Sequence, residues 1–208
     1  MEAMSFRDYL LEQTAVYSLW QAPFVMDKLA PLLAHNDLSR VRRVLDVGCG
    51  PGTNTPLFKH ADYTGIEINP RYVEHARRKY NRRFVVADVT TYEDERGADY
   101  DFILVNSFLH HIELEPTHQI LNRLPKWLSP DGHVHLIELV MPGDRSISQW
   151  LAKMDRGKFP RKLEEWRSIF EKHLDIVVFE PYPVKGLGVA LWQLVYCKGK
   201  PKQGKAKQ

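Results

Sequence analysis

From Val41 onward, short apolar runs alternate with stretches in which apolar residues return every three or four positions. That alternation predicts a parallel sheet whose strands are joined by crossover helices. The runs predict strands over Arg43 to Val47, Tyr63 to Ile68, Arg83 to Val86, Phe102 to Val105 and His133 to Leu139. The first and fourth are nearly continuous in apolar residues, as in strands covered on both faces. Between them, Tyr72, Val73, Ala76 and Tyr80 share one side of a helix over Pro70 to Tyr80. Ile120, Leu121, Leu124 and Leu128 do so over Pro116 to Leu128, and each segment opens with a proline, which suits a helix's first turn. Upstream, Phe6 to Leu11 and Phe24 to Leu33 read as helices of an N-terminal cap over 1–40, rich in aromatics that include Tyr17 and Trp20. Downstream come a polar helix over Leu163 to His173 and two last strands, Ile176 to Phe179 and Ala190 to Cys197. Pro181, Pro183, Gly186 and Gly188 are expected to break the chain between those strands.

With 208 residues, 44% hydrophobic and 11% aromatic, the chain can bury a full core, which excludes a disordered or collagen-like protein. No internal repeat or long linker divides it, so 1–197 reads as one domain: the cap, a core over 41–140, an insertion and helix over 141–173, and a strand hairpin over 174–197. The formal charge is +3, but five lysines lie in Lys198 to Gln208, so the remainder carries a net −2. That balance argues against nucleic acid as a partner, since an electrostatic footprint should lie on the folded body. The lysine-rich end reads as a disordered tail. Cys49 and Cys197 make no disulfide framework, and no leader or membrane-length apolar run is present; a soluble cytoplasmic protein is the expectation. Nothing in the pattern signals an oligomeric state.

The strongest chemical signal is Val44-Leu45-Asp46-Val47-Gly48-Cys49-Gly50-Pro51-Gly52, a buried strand running into a glycine loop and then a helix opened by Thr53 or Asn54. Glycines allow positive φ and let a ligand approach the backbone, so an anionic group could meet exposed amides at a helix N-terminus. A phosphate-binding P-loop needs Gly-Lys followed by Ser or Thr, and that triplet does not occur. A dinucleotide fingerprint needs a glycine where Thr53 stands. Asp46, before the loop, could order its amides or receive a cationic ligand group. Glu67, at the end of the second strand, could accept two ribose hydroxyls, and Asp88, after the third, an exocyclic adenine amine. The fourth strand ends in Asn106-Ser107-Phe108-Leu109-His110-His111-Ile112. All these positions lie at carboxyl ends of strands, where open α/β sheets bind ligands.

Together these segments resemble the class I S-adenosylmethionine-dependent methyltransferases, in particular the small-molecule branch that includes quinone-biosynthesis enzymes. LDVGCGPG is similar to that family's cofactor loop, GIEINP to its acidic second motif, and ADV, DFILVNSFLHHI and LSPDGHVHLIELV to the following three segments. The likeness covers roughly Val41 to Val140. It implies an α/β, Rossmann-like fold: a seven-stranded, mostly parallel sheet with helices on both faces and a reversed final hairpin, binding S-adenosylmethionine. By the same resemblance Gly48, Cys49, Gly50 and Gly52 approach the methionine part of the cofactor, Glu67 the ribose and Asp88 the adenine. Ile68 and Val89 flank the ring, and Asn106 and Leu109 line the approach to the sulfonium.

A methyl on sulfonium is already electrophilic, so a protein using it has mainly to hold an acceptor in line and exclude water. A base helps only where the acceptor must lose a proton, and His110, His111 and Glu138 are the candidates. His133 and His135 share one face of a strand and read as hydrogen-bonded sheet histidines. Cys49, inside the loop and without a base, reads as a small buried residue. The segment after the fourth strand lacks the Asn/Asp-Pro-Pro-aromatic tetrad of adenine amine methyltransferases and the Pro-Cys of cytosine C5 enzymes, and no Asp-Asn metal pair follows the fifth. A small-molecule acceptor and no metal are therefore expected. Tyr17 and Trp20 in the cap, with Trp150 and Arg156 in the insertion over Met141 to Pro160, are the substrate-binding candidates. The rival readings are a protein that retains the cofactor pocket without turnover, a nicotinamide oxidoreductase, and a methyltransferase acting on a macromolecule.

Overall fold

The computed structural model describes residues 24–95, 97, 99–143, 147–154, 159–186 and 188–202. One seven-stranded sheet organises them, in the order β3-β2-β1-β4-β5-β7-β6. Its strands are β1 (Arg43–Val47), β2 (Asp62–Glu67), β3 (Arg83–Val86), β4 (Tyr100–Asn106), β5 (Leu128–Val140), β6 (Leu174–Gly186) and β7 (Val189–Pro201). The first five pair in parallel, and β7 runs antiparallel between β5 and β6. The helices are α1 (Val25–Ala34), α2 (Pro70–Lys79), α3 (Leu114–Arg123), α4 (Ile147–Met154) and α5 (Leu163–His173).

Side chains alternate across each strand and feed two cores. Phe102 and Leu104 of β4, Ile137 and Leu139 of β5 and Leu194 and Tyr196 of β7 join Leu29 and Leu32 of α1 and Val73 and Ala76 of α2. Their neighbours Ile103, Val105, Leu136, Val195 and Cys197 pack on the opposite face against Ile120 and Leu121 of α3 and Trp166 and Phe170 of α5. Helices therefore cover both faces. Among the described residues no helix is long and apolar enough to cross a membrane.

Three expectations are corrected here. The glycine loop does not lead into an α-helix: turns over 51–54 pass into one short 3-10 turn, Thr55–Phe58. Only residues 48–61 join β1 to β2, and the loop consumes the first of them, so a long helix has no room. Pro181 and Pro183 do not break β6, which runs through both to Gly186. It is an edge strand, so a proline whose missing N–H faces outward interrupts no ladder bond. The last strand does not end at Cys197 but continues to Pro201, with Lys198 opposite Val178 and Lys200 opposite Asp175. Residues 203–208 of the lysine-rich end lie outside the described residues, as does 1–23, on which the helix expected over Phe6 to Leu11 falls.

Candidate active site

The strand order reverses between β1 and β4, and a crevice opens there beyond the carboxyl ends of the strands. Its rim is the glycine loop. Gly48, Gly50 and Gly52 all have positive φ, at 67°, 53° and 81°. A Cβ on Gly48 would stand 2.5 Å from the Phe108 ring, whereas one on Gly52 would press on Tyr80, Ala76 and Phe84 at 3.1–3.2 Å. The bare Cα of Gly52 thus serves packing against α2 and β3.

The loop amides are largely spoken for within the protein. Gly48 and Cys49 donate to the Ile66 carbonyl, and Gly52 donates to that of Cys49. The Gly50 amide donates to Glu67 Oε2 at 3.1 Å, while Glu67 Oε1 accepts from the Asn69 amide at 2.9 Å. Glu67 therefore orders the loop from the neighbouring strand. Asp46, which the sequence offers for that task, lies beneath and is fully buried. Its Oδ2 accepts from Asn54 Nδ2 at 3.0 Å and from the Tyr63 hydroxyl at 2.5 Å, and its Oδ1 has no hydrogen-bond partner. Burial, opposed by those two hydrogen bonds, pushes the carboxyl up to about 6. Cys49 is also buried, its thiol raised by desolvation, and its Sγ would meet a Cβ on Gly65 at 2.6 Å. It fills space beneath the loop and offers no thiolate.

Two cavities flank the crevice. One, of about 580 Å³, is lined by Gly48, Ile66, Glu67, Ile68, Asp88 and Val89 on one side and by Phe108, His111, Ile112 and Phe159 on the other. Asp88 Oδ1 accepts from the amide and hydroxyl of Thr90, which holds its carboxyl below the usual range. The second, of about 240 Å³, is lined by Thr53, Asn54, Asn106, Ser107, His110 and His111 at one end. Phe24, Val25, Leu29, Val184, Trp192 and Leu194 form its other end. His111 lines both.

The histidine turn that separates them is built from β5. The Glu138 carboxylate, fully buried, accepts from the amides of Phe108, Leu109 and His110 and from His110 Nδ1 at 2.7 Å. From the far side, the Arg161 guanidinium donates to the carbonyls of Leu109 and Ile112. Ser107, leaving β4, takes φ +52°, a conformation that costs about 1–3 kcal/mol and persists only where its surroundings enforce it. The rings of His110 and His111 lie 4.1 Å apart.

The sequence candidates are thus distributed unevenly. Gly48, Glu67, Ile68, Asp88 and Val89 line the larger cavity; Asn106, His110 and His111 line the smaller. Asp46, Cys49, Gly50, Gly52, Leu109 and Glu138 line neither and act on the residues that do. Trp150 is exposed on α4, away from both. Tyr17, Trp20 and Arg156 fall outside the described residues. His135 is a buried sheet residue, stacked on Phe102 and bonded through Nδ1 to the Tyr196 hydroxyl at 2.9 Å. Sequence reasoning gave the acceptor surface to the N-terminal cap, whose Phe24 lines the smaller cavity, and to the insertion, and it missed Val184, Trp192 and Leu194. The available signal was the i, i+2 placement of Trp192 and Leu194, which puts both on one face of β7.

Residues 44–132 match the family described as a methyltransferase domain. A trans-aconitate 2-methyltransferase of Methylobacterium radiotolerans is 37% identical over 108 residues, half of this chain and 40% of that enzyme. The matched stretches span 40–50% of the length of such curated relatives. The fold coincides, at TM-score 0.68 and 17% identity, with an S-adenosylmethionine-dependent methyltransferase from Methanosarcina mazei, over 81% of this chain and 96% of that one. It does so at 0.66 and 20% with the N-methyltransferase NodS of Bradyrhizobium japonicum in complex with S-adenosyl-L-homocysteine, over 87% and 89%. Over residues 44–132 the chain is thus similar to a methyltransferase domain, and its fold is the one these neighbours share. In the larger cavity Glu67 and Asp88 offer hydrogen-bond acceptors, and Ile68, Val89 and Ile112 offer apolar surface.

Proposed function

We propose that the protein is an S-adenosylmethionine-dependent methyltransferase acting on a small organic molecule. The observation that carries this reading is the arrangement at His111, where a nucleoside-sized cavity and a second, largely apolar one meet at the switch point of the sheet. When bound, the cofactor supplies an electrophilic methyl on sulfonium, so the chain's residues need only bind, align and shield.

Glu67, already turned toward the loop, accepts ribose hydroxyls, and Asp88 Oδ2 accepts a base amine while Oδ1 stays with Thr90. Asp46 supports the loop from below through Asn54, which in turn accepts from Asn106 Nδ2 at 3.0 Å. The acceptor occupies the smaller cavity with its reacting atom toward Asn106 and the histidines. Glu138 fixes the His110 ring through Nδ1, and a carboxylate behind an imidazole sets its tautomer and orientation. His110 or His111 takes the proton where the acceptor is a hydroxyl.

Incubation with S-adenosylmethionine labelled in its methyl group, against a panel of small hydroxy, amino and carboxy compounds, tests the reading. Label transferred to one class is the expected result. Cofactor bound but never turned over would make the protein a binding module.

A further inference from the structure

We infer that the smaller cavity selects a small aromatic molecule carrying at most one anionic group, and that Trp192 is the residue that selects the ring. The inference rests on the reading above only for which end of the ligand reacts. The cavity is segregated by polarity. Its end near the glycine loop is polar, while the far end is apolar and built on ordered elements: Trp192 pairs with Val184 across β6 and β7, and Leu194 with Tyr182. Trp192 and Phe24 meet edge to face, ring centres 5.6 Å apart at 65°. Such a pair presents a fixed face and edge on which a third ring can seat in an offset or edge-to-face arrangement.

Charge sets the second half of the inference. Among the described lining residues Lys28 is the one cation, and there is no acid. A tricarboxylate would bring three charges to a lining that offers one lysine, and the neutral hydroxyl and amide groups of the polar end compensate a buried charge less well than a cation does. The volume, about 240 Å³, lies below the roughly 300–1,000 Å³ of drug-sized sites, which suits one or two rings. The aconitate named for the curated relatives does not fit this lining.

Binding to the intact protein, with and without saturating S-adenosylhomocysteine, is read by calorimetry and tryptophan quenching using 4-hydroxybenzoate, 1-naphthol and trans-aconitate. Both aromatics should bind, and trans-aconitate about tenfold or more weaker. Trp192→Leu should weaken both aromatics by about fivefold to tenfold and leave S-adenosylhomocysteine affinity within about twofold. Lys28→Gln should weaken 4-hydroxybenzoate and spare 1-naphthol. Should Trp192→Leu misfold, Leu194→Trp provides the second variant: it fills the cavity and should abolish aromatic binding alone. The inference is overturned if neither aromatic binds, if trans-aconitate binds as tightly, or if both Trp192→Leu and Leu194→Trp leave aromatic affinity unchanged. Aromatic binding without any S-adenosylhomocysteine binding would instead overturn the methyltransferase reading and leave this one standing.

Discussion

Gly48 faces the Phe108 ring so closely that a single methyl has nowhere to go. Gly48→Ala combines that clash with a left-handed backbone, and overpacking plus positive φ should destabilise the protein by about 2–4 kcal/mol, read as a lowered denaturation midpoint. Glu67 is different: it holds the Gly50 amide from a partly exposed position, so Glu67→Ala should fold. The variant should lose about 1–3 kcal/mol of S-adenosylhomocysteine affinity through missing charge-assisted hydrogen bonds. Both residues were named from their position at strand ends, but the Phe108 ring beside Gly48 and the hold of Glu67 on the Gly50 amide arise only in the fold. Asp46 was legible as important but not in its partners, since Asn54 and Tyr63 reach it only through the fold of the loop and the register of β2. Glu138 was legible as a candidate near the site, while its grip on three successive amides depends on β5 and the histidine turn lying side by side.

At the scale of elements, the turn over Leu109–His111 is clamped between Glu138 and Arg161. Arg161 also pairs its backbone with β5, the Met141 amide donating to its carbonyl at 2.8 Å, so the return of the insertion and the histidine turn form one unit. Arg161→Met keeps the bulk but takes one donor from each of two carbonyls, leaving Leu109's with the Ile112 amide and Ile112's with the Thr117 hydroxyl at 3.5 Å. It should cost about 2–4 kcal/mol in urea unfolding and shift the His111 ring resonances in NMR spectra. Strands β1 and β3 and helix α5 appear at the residues the sequence predicts: β1 is buried along most of its length, β3 is anchored by Phe84, and α5 combines a capped first turn with a buried face of Trp166, Ile169 and Phe170. The extent of β6 and β7 was hidden: the prolines read as breakers and the lysines as a disordered tail, yet an edge position tolerates the first and a long antiparallel ladder holds Lys198 and Lys200.

Across the whole molecule, the sheet's two cores were implied by its alternating strands, but contacts between distant helices were not. His118 on α3 and His173 on α5 lie 2.7 Å apart, and His173 Nδ1 also meets Asn122 Oδ1 at 3.0 Å. Burial, then the neighbouring His118 and Lys172, lower His173 from 6.5 to about 4. The folded state therefore binds fewer protons than the unfolded chain between those values, so stability rises with pH across that window and is lost on acidification. Thermal unfolding followed from pH 7 to pH 4 should show this fall, to which His118, His133 and His135 add in the same direction and which Asp46, raised to about 6, opposes; His173→Asn should make it shallower. The central claim, that the crevice between β1, β2 and β4 is shaped for an adenosyl sulfonium, is tested most directly by calorimetric titration of the intact protein with S-adenosylhomocysteine. Saturable heat at one ligand per chain is the predicted result; no heat from well-folded protein would contradict it.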